Sequence, residues 1–309
     1  MVKDTVFIDS LQGIKDLVDW VALQDTWMGD LQPPLYIDLE GDRLSRNGNL
    51  SLLTVLVYPG KGLERPHIID TLTLGSAAFS TAGRRAKSLK DILESPQILK
   101  VFFDVRNDSD ALYSHYGIKL RGVRDVQLME SATRPTTERR KFLSGLSKCI
   151  VDVLHGRERN QWTICKEKGD NLWNPENGGS YSVFNARPLS NEIASYCVGD
   201  VQHLPALYQK YRCGTNRWTD LIAEESQKRV SASQESEYQP DGAGRALSPW
   251  SAEQNKMLDS WSEVPKPRDY FSYGRLGDFE EDTWESDRSF GDDNDFEDWT
   301  RAPWQGPPS

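Results

Sequence analysis

Asp38 and Glu40 stand two residues apart in LYIDLE, at the end of a run that is otherwise apolar. Side chains two apart on a strand share a face, so both carboxylates point one way while Ile37 and Leu39 point the other. Two anions held side by side disfavour each other's charge, and a bound divalent cation removes that cost. Two other stretches carry acids in suggestive places. LKVFFDVRNDSDALYSHYG runs from a short apolar segment into Asp104, Asp108 and Asp110 at the start of a helix, where an aspartate also suits the positive end of the helix dipole. SYCVGDVQHLPALY sets Tyr196 and Asp200 four residues apart, one turn from each other on a helix face. Taken singly, each has an ordinary structural explanation.

The elements that must position these groups follow from periodicity. IDSLQGIKDLVDWVALQ (8–24) repeats apolar residues at three- and four-residue steps and predicts a helix. Residues 35–40 and 50–58 read as strands joined by a short Gly/Asn/Arg turn, hence an antiparallel pair. PHIIDTLTLG supplies a third strand, LKDILESPQI a helix stopped by Pro96, and LKVFFDV a fourth strand leading into a helix that ends at Gly117. VRDVQLMES (123–131) fits a fifth strand or a short helix. Residues 138–154 predict a helix and 155–187 a polar surface loop. Residues 189–211 predict a long helix that Pro205 kinks or divides. This order implies an α/β fold with a mixed five- or six-stranded sheet flanked by helices.

The formal charge of −10 is unevenly placed: residues 1–213 hold 27 basic against 26 acidic side chains, and residues 214–309 hold 10 against 21. The first part is therefore not barred from a polyanionic partner by its charge. The last third lacks aliphatic periodicity, yet carries six of the ten tryptophans. It reads as an acidic, largely disordered tail with one short helix at 249–261, able to cover a basic surface or recruit a protein partner. No stretch approaches a membrane span or a signal peptide, and the four cysteines are too scattered for a zinc knuckle. An intracellular protein, cytoplasmic or nuclear, is the expectation.

Asp38-x-Glu40, the aspartate at the start of the central helix, and Tyr196-x-x-x-Asp200, in this order, resemble the DEDD superfamily of 3′–5′ exonucleases in its ribonuclease D-like branch, near the Egalitarian and EXD-type proteins. ARPLSNEIASY resembles the family's approach to the third block, and VRDVQLME its Asp-x-Gln segment after the second. Ser195 stands where the histidine branch carries its base, so the tyrosine branch fits. Asn107 departs from the aromatic residue that often precedes the middle aspartate, which leaves Asp104 and Asp110 open beside Asp108. The resemblance covers about residues 5–213 and implies a ribonuclease H-like three-layer fold. It also implies two Mg²⁺ or Mn²⁺ ions held by Asp38, Glu40, Asp108 and Asp200, with Tyr196 aiming the attacking water or a phosphate oxygen. The implied reaction releases nucleoside 5′-monophosphates from the 3′ end of nucleic acid, RNA rather than DNA. Some relatives near Egalitarian bind RNA or partners without cleaving. Arg121, Arg187, Arg139 and Arg140, with the basic island GRRAKSLK (83–90), are candidate backbone contacts.

Overall fold

The computed structural model describes residues 5–23, 33–59 and 62–260. Its first half builds the sheet: β1 (Val6–Ile8), α1 (Leu11–Leu23), β2 (Leu35–Glu40), β3 (Leu52–Val57), β4 (Arg65–Asp70), α2 (Thr71–Leu74), α3 (Ala77–Ser80), α4 (Leu89–Glu94) and β5 (Lys100–Phe102). Next come α5 (Arg106–Tyr116), β6 (Val123–Asp125), α6 (Val126–Thr133), α7 (Thr137–Arg140) and α8 (Leu146–Val151). The rest is helical: α9 (Gly156–Trp173), α10 (Asn191–Gln202), α11 (Leu204–Tyr211), α12 (Asn216–Gln234) and α13 (Ala252–Ser260).

The six strands lie in the order β1-β4-β3-β2-β5-β6, with β2–β3–β4 antiparallel and the outer pairings parallel. Alternation along β2 sorts the core. Leu35, Ile37 and Leu39 join α1, α4 and α5 on one face, while Tyr36 and Leu56 meet α6 and α11 on the other. Leu52 and Ile68 pack under α10 on that second face. The result is the expected three-layer α/β arrangement with a mixed sheet.

Several local expectations change. VRDVQLMES holds both alternatives in succession, β6 and then α6, with the Asp125 side chain capping α6 by accepting from Gln127 N. Pro205 stands at the start of α11 and divides the long helix, as one of the two alternatives had it. The helix expected over 138–154 is broken into α7 and α8. Its middle instead donates Leu143 N to Ala246 O (2.8 Å) and accepts Ser248 N at Lys141 O (3.0 Å), so a returning segment takes its backbone groups. The loop expected at 155–187 is largely the 18-residue helix α9.

The low-order tail expected from 214 does not begin there. Helix α12 packs on α5, α6 and β6, and Trp218, Leu221, Ile222 and Val230 are buried. Strand β6 is a sheet edge, and edges with free N–H groups need covering. Ser226 Oγ accepts Asp125 N at 3.0 Å, so α12 provides that cover. Helix α13 is anchored by the buried Arg140, whose guanidinium bonds Asp259 and, at 3.0 Å, Asn255 Oδ1. The acidic stretch 278–298 and the tail's proposed partner role lie outside the described residues.

Candidate active site

Strand β2 runs along the middle of the sheet, paired with β3 on one side and β5 on the other. Its C-terminal end delivers Asp38 and Glu40 to the face covered by α10. There Asp200 arrives from the helix, and ligand oxygens of the three residues lie within 4.8 Å of one another. Asp38 pairs across the ladder with Thr54. The Thr54 hydroxyl therefore shares that face, is fully buried, and has no hydrogen-bond partner. Thr54 thus offers a further oxygen beside Asp38 on the face that carries the carboxylates. The donor set is all oxygen, which fits Mg²⁺ or Mn²⁺.

The structure separates the three middle-block aspartates. Asp110 is fully buried and its carboxylate accepts Arg46 Nε and Arg46 N, both at 2.7 Å. Asp104 is gripped by Arg106 at 2.5 Å and 2.6 Å, with Arg229 and Arg245 close by. Burial alone would raise Asp104, but these guanidinium groups hold its carboxyl down at about 2. Asp108 makes no such pair. It is buried, burial pushes its pKa well up, and the charge of Asp38 adds to that. Among the three, Asp108 is the one whose carboxyl feels the charge of Asp38, although it stands outside the group of ligand oxygens that Asp38, Glu40 and Asp200 bring together.

Asp125 fixes that register. Its carboxylate accepts Asp104 N (2.9 Å), Val105 N (3.2 Å) and Arg229 Nη1 (2.7 Å), which pins the turn from β5 into α5. Asp104 there adopts φ 59°, a left-handed conformation that non-glycine residues take only where surroundings enforce it. The Asp-x-Gln segment seen in the sequence is thus a clamp on the aspartate-bearing helix, completed by Arg229 from α12.

Electrostatics at the cluster are those of crowded, half-buried anions. Burial first, then Asp200, raises Asp38 to about 8. Burial and the neighbouring Asp38 push Glu40 well up in the same way. Asp200 is also raised by burial, though Lys166 draws it back. Lys166 had no place in the sequence reading. It projects from α9, with Nζ 2.9 Å and 2.7 Å from the two Asp200 oxygens and 4.0 Å from the Tyr196 ring centroid. Gly169, one turn further on, lets α9 approach the tyrosine: a Cβ there would stand 2.2 Å from Tyr196 Cδ2. Trp173 and Phe184 close the tyrosine's other sides. The only signal for this face was Trp162, Cys165, Gly169 and Trp173 recurring at three- and four-residue steps within a polar stretch.

The four arginines expected to hold substrate are differently placed. Arg187 donates to both oxygens of the buried Asp70 at 2.6 Å and to the Phe184 and Ala186 carbonyls. Arg140 is fully buried in the α13 anchor. Both are structural ion pairs, because a buried carboxylate or guanidinium needs its partner more than a solvated phosphate does. Arg121 is exposed just before β6. Strands β2, β5 and β6 run parallel, so their C-terminal ends carry the acids and Arg121 sits at the opposite end of the sheet. Arg139 is exposed on α7.

A family model described as 3′–5′ exonuclease matches residues 17–212. The piRNA biogenesis protein EXD1 of Mus musculus is 36% identical over 99 residues, 32% of this chain and 15% of that protein. Its Homo sapiens counterpart is 36% identical over 99 residues, 17% of its length, so the chain spans a small part of either relative. Among solved structures, RNase D of Trypanosoma brucei in complex with RNA U12 superposes with TM-score 0.61 at 18% identity, covering 82% of this chain and 78% of that one. Its GMP complex gives 0.61 at 20% identity, covering 88% and 76%. At such identity the shared property is the fold, while the family model spans most of the sheet and every acidic block. The chain therefore belongs to the 3′–5′ exonuclease family, with the fold of RNase D and a stretch similar to EXD1-type proteins.

Proposed function

We propose that this chain is a metal-dependent 3′–5′ exonuclease that shortens RNA from its 3′ end and releases nucleoside 5′-monophosphates. The observation that carries the reading is the convergence of Asp38, Glu40 and Asp200, from a central strand and a helix some 160 residues later in the chain, into one all-oxygen cluster. Asp38, Glu40, Asp108 and Asp200 would hold Mg²⁺ or Mn²⁺. When bound, such ions supply Lewis acidity for the attacking water and for charge developing on the leaving oxygen.

The chain's own residues do the rest. Asp108 closes the cluster from the α5 side, and the clamp at Asp125 keeps it there. Burial pushes the Tyr196 hydroxyl well above its ordinary value, so it keeps its proton and acts as a donor. It would orient the water or a non-bridging phosphate oxygen, and would not remove a proton. Of the two exposed arginines, Arg139 remains the candidate for backbone contact, since Arg121 sits at the far end of the sheet. RNA in preference to DNA follows the company the fold keeps: the similar RNase D was solved with RNA U12.

A second reading, an exonuclease-like module that binds RNA or a protein partner without cleaving, is favoured by the Lys166–Asp200 pair, which gives the cluster a counter-charge without metal. Incubating the protein with 5′-labelled and 3′-labelled RNA and DNA, in Mg²⁺, Mn²⁺ or EDTA, separates the two. Mononucleotide release from the 3′ end that is lost in EDTA and in Asp38→Ala, Asp108→Ala and Asp200→Ala is the expected result. RNA binding without product in every metal would establish the second reading.

A further inference from the structure

Lys166 lies where the proposed site must accept a cation. Its ammonium touches both oxygens of Asp200, and its side chain is only 14% exposed. An ammonium is a compact point charge on a flexible four-carbon stem, so it can vacate a position without moving its backbone. The α9 backbone here has no such freedom, because Gly169 stands against the Tyr196 ring. The lysine is thus anchored at its Cα, while its tip is held by the Asp200 carboxylate and the Tyr196 ring. A guanidinium would be held more rigidly by the same carboxylate.

We propose that Lys166 is a tethered cation that competes with divalent metal for Asp200, so that loading of the site requires its ammonium to withdraw. This rests on the exonuclease reading of the cluster and adds to it the residue that sets metal affinity. In the metal-free protein Lys166 partly neutralises three crowded carboxylates. On loading, it leaves Asp200 while the Tyr196 ring face, 4.0 Å away, remains a ready cation-π partner. An ammonium and a metal cannot both take the inward lone pairs of one carboxylate without strong mutual repulsion.

The test is calorimetric titration of the full chain with Mn²⁺, comparing wild type with Lys166→Met and Lys166→Gln. Competition predicts that both neutral variants bind Mn²⁺ at least about tenfold more tightly, equivalent to about 1.4 kcal/mol. Equal or weaker binding by a folded variant overturns the proposal. Should the variants not fold, wild type decides: amine-reactive labelling read by peptide mass spectrometry should modify Lys166 faster with Mn²⁺ than with EDTA. Labelling unchanged or slowed by Mn²⁺ refutes competition. If neither wild type nor a folded variant binds Mn²⁺, the metal reading of the cluster falls as well, whereas equal binding by both removes only the role of Lys166.

Discussion

In the metal-free protein, raising the pH through neutrality should cost stability through Asp38, and a divalent ion should restore it. Burial and Asp200 lift this carboxyl from its ordinary value of 3.8 to about 8 in the folded state. A folded-state value above the unfolded one means that the native protein binds the proton more tightly. The stabilisation is complete below pH ~4 and disappears as the pH approaches ~8, at about 1.4 kcal/mol per pH unit. From pH 6 to 8 the loss is roughly 2–3 kcal/mol, and for a chain of this size that is about 3–5 °C in Tm. Other groups titrate nearby with the opposite sign: burial lowers His67 and His203 to about 4 and Lys100 to about 7. Subtracting the Tm of Asp38→Asn at each pH removes their contribution, since they are common to both proteins. The assay is thermal unfolding by circular dichroism in EDTA and in millimolar Mn²⁺. The wild-type minus variant difference should fall by that amount between pH 6 and 8 in EDTA and should recover in Mn²⁺. A difference that stays flat across this range would refute the crowded-carboxylate account of the site.

Gly169→Ala should lose about 1–3 kcal/mol in denaturant unfolding through overpacking against Tyr196, together with most exonuclease activity. Gly199→Ala, whose Cβ would meet only the Trp162 ring, at 3.6 Å and 3.9 Å, should fold at least as stably as wild type; the reverse ranking would discredit the tyrosine cradle. Arg187→Ala should cost about 3–5 kcal/mol by stranding the buried Asp70, with partial recovery in the Asp70→Asn/Arg187→Ala pair measured by urea unfolding. Among the middle aspartates, Asp108→Asn should abolish activity while preserving the unfolding midpoint. Asp110→Ala should instead lower that midpoint by releasing Arg46. Truncation after residue 213 should yield an unfolded or aggregated product, whereas truncation after residue 260 should unfold cooperatively, as judged by calorimetry.

The acidic blocks were legible because each is written in short-range spacing: two on a strand face, four on a helix face, one at a helix start. The sheet's central strands were legible for the same reason. What periodicity missed was the part of the structure whose buried positions are polar. Helix α12 buries Trp218, Leu221 and Ile222 in regular register, but continues it with Glu225, Ser226, Arg229 and Ser233. Those residues are buried against Asp125, Gln254 and backbone carbonyls rather than against apolar side chains. A hydrophobic period therefore breaks after Ile222 and returns only at Val230, although the helix continues. Arg140 and Arg187 misled for the related reason that a basic side chain in a sequence carries no sign of the acid it will meet. Those acids, Asp259 and Asp70, lie more than one hundred residues away along the chain. The register among Asp104, Asp108 and Asp110 was open until Arg46, Arg106 and Arg229 claimed two of them.

Placing Asp38 and Glu40 on an interior strand divides the work of adaptation unequally. Strand β2 is hydrogen-bonded to neighbours on both sides, so its amides should exchange with solvent only on global unfolding. Asp200 rides on α10, which packs across β2, β3 and β4 without joining their ladder, whereas α5 is pinned through Asp125 and α9 is held against Tyr196. Tolerance for ions of different radius, or for a moving chain end during successive turnovers, must then reside in the helical half. The strand serves as the fixed jaw of the vice.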